Sequence, residues 1–212
     1  MRLVRLVIVG LCLIWSLREA AAQNVRFDVQ NFRPTPGPRD LIIVPQSQPL
    51  SHLSGAVGAY FSFSLDPLVL LNSEGQRAAD VEKNRLELDL MAAIGLSNWL
   101  ELGFVFPVVL FQQSSNLEVI GEEGQIKSNA VGDLAAMFKV PFVRRLSYAS
   151  GFGVALQGRV NFPTGDQSAF ASDGRVTFTP SFVADYRFGM GALIALQAGV
   201  HIRPAIEFMD VK

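Results

Sequence analysis

From Val57 onward the chain alternates apolar and polar side chains with a period of two, the spacing of a strand with one apolar face. Val57, Ala59, Phe61, Phe63 and Leu65 fall on one side, and Gly58, Tyr60, Ser62 and Ser64 on the other. The same alternation recurs over Leu86–Ile94, Leu100–Leu110, Leu134–Phe142, Phe152–Phe162, Val176–Tyr186 and Leu196–Ile202. That gives seven predicted strands, most of them about ten residues long, against a usual mode of about 5–6 in soluble proteins. About 9–11 tilted residues are enough for a strand to cross a bilayer. Proline disturbs the pattern at Pro107, Pro141 and Pro180, and the mid-strand Pro180 predicts a bulge.

The connections alternate as well. Long polar segments, Asp66–Lys83, Gln112–Asn129 and Pro163–Gly174, take turns with short ones at Ser97-Asn98, Val143–Leu146 and Gly189–Gly191. Short turns at one end and long loops at the other characterise an outer-membrane barrel. Trp99, Phe142, Tyr148 and Tyr186 all fall near the short-turn end, where an aromatic girdle belongs. The expected fold is all-β: an antiparallel transmembrane β-barrel with about seven strands visible. Bacterial single-chain barrels have even strand counts, so the expected barrel is incomplete, with closing strands missing.

Half of the 212 residues are apolar, yet after the first twenty no run reaches the length of a membrane-spanning helix. The N-terminus reads as an export signal over residues 1–22: Arg2 and Arg5, an apolar stretch Leu6–Leu17, then Ala20-Ala21-Ala22 as a cleavage site. Export through the Sec pathway to the outer membrane follows. Residues 23–51 form a Pro-rich lead-in, expected in the periplasm. Pro34, Pro36, Pro38, Pro45 and Pro49 bar it from a central strand. Residues 52–212 are the expected barrel. The sole cysteine, Cys12, lies in the signal, so the mature chain has no thiol chemistry. A net charge of −1 suggests no nucleic-acid partner; the expected partners are outer-membrane lipid and lipopolysaccharide.

In a barrel, the polar side of each strand faces the lumen. The residues expected there are Glu87, Asp89, Glu101, Asp133, Lys139, Gln157, Arg159, Asp185, Arg187, His201 and Arg203. Acids concentrate on the second to fourth strands and bases on the fifth to seventh, so opposite charges meet across a narrow lumen or line a selective pore. Neither His52 nor His201 is placed beside a nucleophile, and no enzyme activity, metal or cofactor is expected. Gly165-Asp166 and Asp173-Gly174 lack the alternating oxygen ligands of a calcium loop and read as turns. A secreted soluble β-sandwich shares the period of two but predicts shorter strands and scattered loop lengths.

Two motifs carry a resemblance. Gly132-Asp133-Leu134 opens the fourth predicted strand, and Phe162-Pro163-Thr164-Gly165-Asp166 closes the fifth, followed by Asp173-Gly174. With Phe32-Arg33-Pro34 and Asp66-Pro67-Leu68-Val69-Leu70, this set resembles the N-terminal barrel of OmpA-family outer-membrane proteins of the myxobacterial type. The Gly-Asp and Pro-Thr-Gly-Asp pair is also similar to the outer-membrane transporters named for the MetA pathway of phenol degradation. The first resemblance implies an envelope-anchoring role, with peptidoglycan bound by a C-terminal domain absent from this sequence. The second implies a pore or transporter for hydrophobic compounds.

Overall fold

The computed structural model describes residues 28–30, 32–71, 74–113, 127–145 and 150–203, all within one compact unit, Arg26–Ala205. The predicted signal, Tyr148 and the C-terminal residues after 203 lie outside the described residues. All seven predicted strands are present in one antiparallel sheet that curves into a half-barrel. They are β1 (Gly55–Leu71), β2 (Arg77–Ser97), β3 (Leu100–Gln113), β5 (Leu134–Val143), β6 (Gly151–Phe162), β7 (Thr177–Arg187) and β8 (Leu193–Gly199). A two-residue strand, β4 (Ala130–Val131), pairs with β3 off the main path. The long strands pair in the order β1-β2-β3-β5-β6-β7-β8, so each hairpin joins neighbours and no crossover is needed. Among the described residues β1 and β8 are the free edges. No helix among them is long and apolar enough to cross a membrane, which says nothing of strands.

Polarity is inverted relative to a soluble domain. The apolar set stands on the outer face: Val57 is 89% exposed and Leu196 71%, Phe61 is exposed beside Val57 on β1, and Phe104, Phe152 and Phe182 are exposed on the strands between β1 and β8. The polar set is buried on the inner face, with Glu87, Asp89 and Asp185 each only 2% exposed. Trp99, Phe142 and Tyr186 are exposed near the short-turn end, and the Tyr186 and Phe188 rings meet edge to face at 4.8 Å.

Three details differ from the sequence expectation. Asp66–Lys83 is not a loop, because β1 runs on to Leu71 and β2 starts at Arg77. The pairing bends instead of stopping: register shifts occur after Leu65, Leu68 and Leu70, Asp66 has φ 50°, and Gly75 at φ 77° serves the remaining turn. An Asp66–Arg77 ion pair at 2.7 Å ties this extension together. Nor does Pro180 make a bulge. It pairs with Gly158 in unbroken register on the β6 side. On the β8 side its missing donor coincides with the point where β8 gives out, leaving Val200 N–H donating to Pro180 C=O and an isolated Phe178–Ile202 bridge. In the other pairings the shifts fall at Leu96 in β2, Leu110 in β3 and Phe142 in β5.

The third difference concerns the Pro-rich lead-in. It forms no strand, as its prolines require, but it lies across the inner face of the half-barrel. Val29 packs with Val81, Val109 and Phe170 at the long-loop end. Leu53 and Ser54 exchange backbone hydrogen bonds with Gly95 at the short-turn end. Between these points Pro34, Pro45 and Ser47 are almost fully buried.

Candidate functional site

The inner face and the lead-in form one polar structure. Glycines on the strands make room for it. A Cβ on Gly103 would collide with the Pro36 ring, one on Gly153 with the Ser47 side chain, and one on Gly95 with the backbone at Leu50 and Ser51. These inward glycines thus admit this chain's own segment.

Near the short-turn end, carboxylates on the sheet accept from lead-in amides. Leu50 N–H donates to Glu101 Oε2 at 2.7 Å, and Ser47 N–H donates to Asp185. The Gln46 side-chain oxygen accepts from Arg145 at 2.9 Å and from Arg187 at 3.3 Å, while Arg145 also lies 3.6 Å from Asp185. In the middle, the Lys139 ammonium sits between Glu101 at 3.0 Å and Asp40 of the lead-in at 3.3 Å, all three buried. A buried ammonium with two carboxylates offsets the desolvation that would otherwise make a lone charge expensive.

At the long-loop end, Arg85 lies 2.8 Å from Glu87 and 3.5 Å from Glu82, and donates to the Phe170 carbonyl. Gln112 donates to the carbonyls of Lys127 and Ala169. Asp133 holds the loop after β6: its two oxygens accept from Gly165 N–H at 2.9 Å and Asp173 N–H at 3.1 Å. Asp166 caps the 3-10 turn Gln167–Ala169 and pairs with Lys127 at 2.6 Å, which holds its carboxyl below the usual range. The Gly-Asp and Pro-Thr-Gly-Asp motifs therefore close a loop over one end of the half-barrel. Asp28 lies under that loop, its N–H donating to Asp173 at 3.2 Å and its carboxylate 3.5 Å from Arg33. Burial raises the Asp28 pKa to about 6, with Arg33 pulling in the opposite direction.

The structure thus buries Glu87, Asp89, Glu101, Asp133, Lys139, Gln157 and Asp185 on the inner face. Arg159 and Arg187 are half-buried there, whereas His201 and Arg203 are exposed beyond the end of β8. His201 Nδ1 lies 2.8 Å from the Thr179 hydroxyl, and His52 Nδ1 lies 2.7 Å from the Leu96 carbonyl. Among the described residues the ion pairs on the inner face run along a strand (Arg85–Glu87), between neighbouring strands (Lys139–Glu101), from the turn after β5 to β7 (Arg145–Asp185) and to the lead-in (Lys139–Asp40). Among the described residues no group of three or more His, Cys, Asp or Glu side chains is arranged to hold a metal ion.

Several partners were not legible in the sequence. Arg85 keeps the parity of Glu87 and Asp89, so extending the period one step back from Leu86 would have found it. Asp28, Asp40, Gln46 and Ser47 lie in a segment without periodicity, where no local signal marks a buried side chain. Comparison with protein-family models, curated proteins and solved structures gives no match for this chain.

Proposed function

We propose that this chain is an outer-membrane β-barrel protein whose interior is partly filled by its own lead-in, and that it serves passive passage of small solutes. The observation that carries the reading is the inverted polarity. A continuous sheet face with Val57, Phe61, Phe63, Leu90, Phe104 and Phe182 exposed suits hydrocarbon far better than water. Backbone groups stay paired in hydrocarbon only in a closed sheet, so the reading requires that the free edges of β1 and β8 be closed in the membrane. Lipid and lipopolysaccharide are then the outer partners. The short turns face the periplasm and the long loops face outward, which sets the covering loop 163–176 on the external side.

An envelope-structural role is the second reading, favoured by the buried Lys139–Asp40 ion pair and the hydrogen bonds from Leu50 and Ser47 to Glu101 and Asp185 that fix the lead-in to the sheet. Two measurements separate the possibilities. Full-length protein is expected to require detergent, to show heat-modifiable gel mobility and to fractionate with outer membrane; a protein soluble without detergent overturns the membrane reading. In planar bilayers the intact protein is expected to conduct weakly, and a variant with a loosened lead-in strongly. Absence of conductance in both removes solute passage and leaves the structural role.

A further inference from the structure

We propose that the cavity between the lead-in and strands β5–β8 binds a small organic anion that carries an apolar body and a hydroxyl. The cavity measures about 480 Å³, within the range of about 300–1,000 Å³ usual for small-molecule sites. Its apolar wall comes from both layers: Phe32 and Ile43 of the lead-in, and Met137 of β5. Facing them are the guanidinium groups of Arg33 and Arg159, and among the described residues no carboxylate lines the space.

The acids lie on the other side of those two arginines. Arg33 and Arg159 also border a much smaller gap, shared with Asp28, Glu87, Asp89 and Asp133. The pair therefore divides an acid-rich gap from an acid-free cavity. Arg33 is partnered toward the gap, 3.5 Å from Asp28. Arg159 donates through Nε to the side-chain amide oxygen of Asn161 at 2.9 Å, and among the described residues no carboxylate comes within ion-pair distance of it, Asp89 and Asp28 acting on it from across the gap. Two like charges beside one apolar cavity repel each other, and an anion placed there relieves that repulsion while its hydrocarbon part covers Phe32 and Met137. A guanidinium suits a carboxylate in particular, because its forked donors can bind both oxygens.

Gln157 supplies an independent observation. It is 5% exposed, it borders the cavity, and its side-chain oxygen has no hydrogen-bond partner. A buried acceptor without a donor is unfavourable, and a ligand hydroxyl would satisfy it. The cavity is reached from the β8 side, where Gln197 and His201 are exposed.

The probe is 6-hydroxyhexanoate, titrated calorimetrically into the full-length protein in detergent. 1,6-Hexanediol serves as the uncharged comparison and glycolate as the anion without an apolar body. The expected result is binding of 6-hydroxyhexanoate at least tenfold tighter than either, with Arg159→Gln lowering its affinity at least tenfold. Arg33→Gln gives the same readout should Arg159→Gln fail to fold, and the three-ligand comparison needs no variant. Equal affinity for the diol and the anion, no binding at millimolar concentrations, or affinity unchanged in both folded variants overturns the site. Binding is measured without a membrane current, so its failure is distinguishable from failure of solute passage.

Discussion

The Lys139 ammonium lies 3.3 Å from the Asp40 carboxylate, although 99 residues separate the two in the chain. Lys139 sits on a sheet strand and Asp40 in a segment with no regular structure, so this pair fastens the lead-in to the wall. Its second partner, Glu101, stands directly opposite on the neighbouring strand.

Lys139→Met is expected to destabilise the fold by about 3–5 kcal/mol, because it leaves two carboxylates buried without their cation. Adding Glu101→Gln and Asp40→Asn to that variant should recover a large part of the loss. Urea or guanidinium unfolding in detergent reads both. A Lys139→Met variant as stable as the parent would show that the pair does not hold the lead-in.

Gly103→Leu is expected to displace the lead-in while leaving the sheet paired. Its new side chain would occupy the space of the Pro36 ring, whereas the ladder to Ala93 and Met137 uses only backbone. Limited proteolysis should then cut between residues 32 and 50, with the sheet signal in circular dichroism preserved. This is also the variant whose bilayer conductance should rise; protection from protease equal to that of the parent would refute the displacement.

Asp133→Ala removes the acceptor for two backbone amides, at Gly165 and Asp173. A loss of about 2–4 kcal/mol is expected, since hydrogen bonds to charged groups contribute about 1.5–3 kcal/mol each and the freed amides regain some water. Amide exchange should speed up at Gly165 and Asp173 first. Faster exchange spread evenly over β5 and β6 instead would point to general loosening of the sheet.

Asp28 makes docking of the lead-in depend on pH. Its folded pKa of about 6 lies above the ordinary aspartate value of 3.8, so the folded state holds the proton more tightly than the unfolded one. Its contribution is therefore most favourable below about pH 4 and is lost as pH rises through about 6. About two pKa units correspond to roughly 3 kcal/mol at most. Asp28→Asn should flatten that part of the profile, seen as a smaller difference in unfolding midpoint between about pH 4 and about pH 7. An unchanged profile in Asp28→Asn would assign the dependence to other groups.

The period of two was enough to locate every long strand and to say which residues share a face. The reason is geometric: successive strand side chains must point to opposite sides, so the sequence records the face directly. Glu87, Asp89, Glu101, Lys139 and Asp185 therefore share the polar side by their parity alone. The ends of elements were less legible. Polar composition between Asp66 and Lys83 looked like a loop, while cross-strand pairing with its register shifts carried β1 and β2 through it.

Alternation along the chain is enough to define the sheet: its strands, their faces and the polar identity of one of them. What covers that polar face depends on contacts between distant segments. A segment rich in proline has no period, and local composition cannot say which distant glycine opposes Pro36 or which lysine opposes Asp40. Those contacts depend on the curvature of the assembled sheet, which brings β3, β5, β6 and β7 around the lead-in. The same curvature sets Arg33 beside Arg159 and so defines the cavity between them and β8.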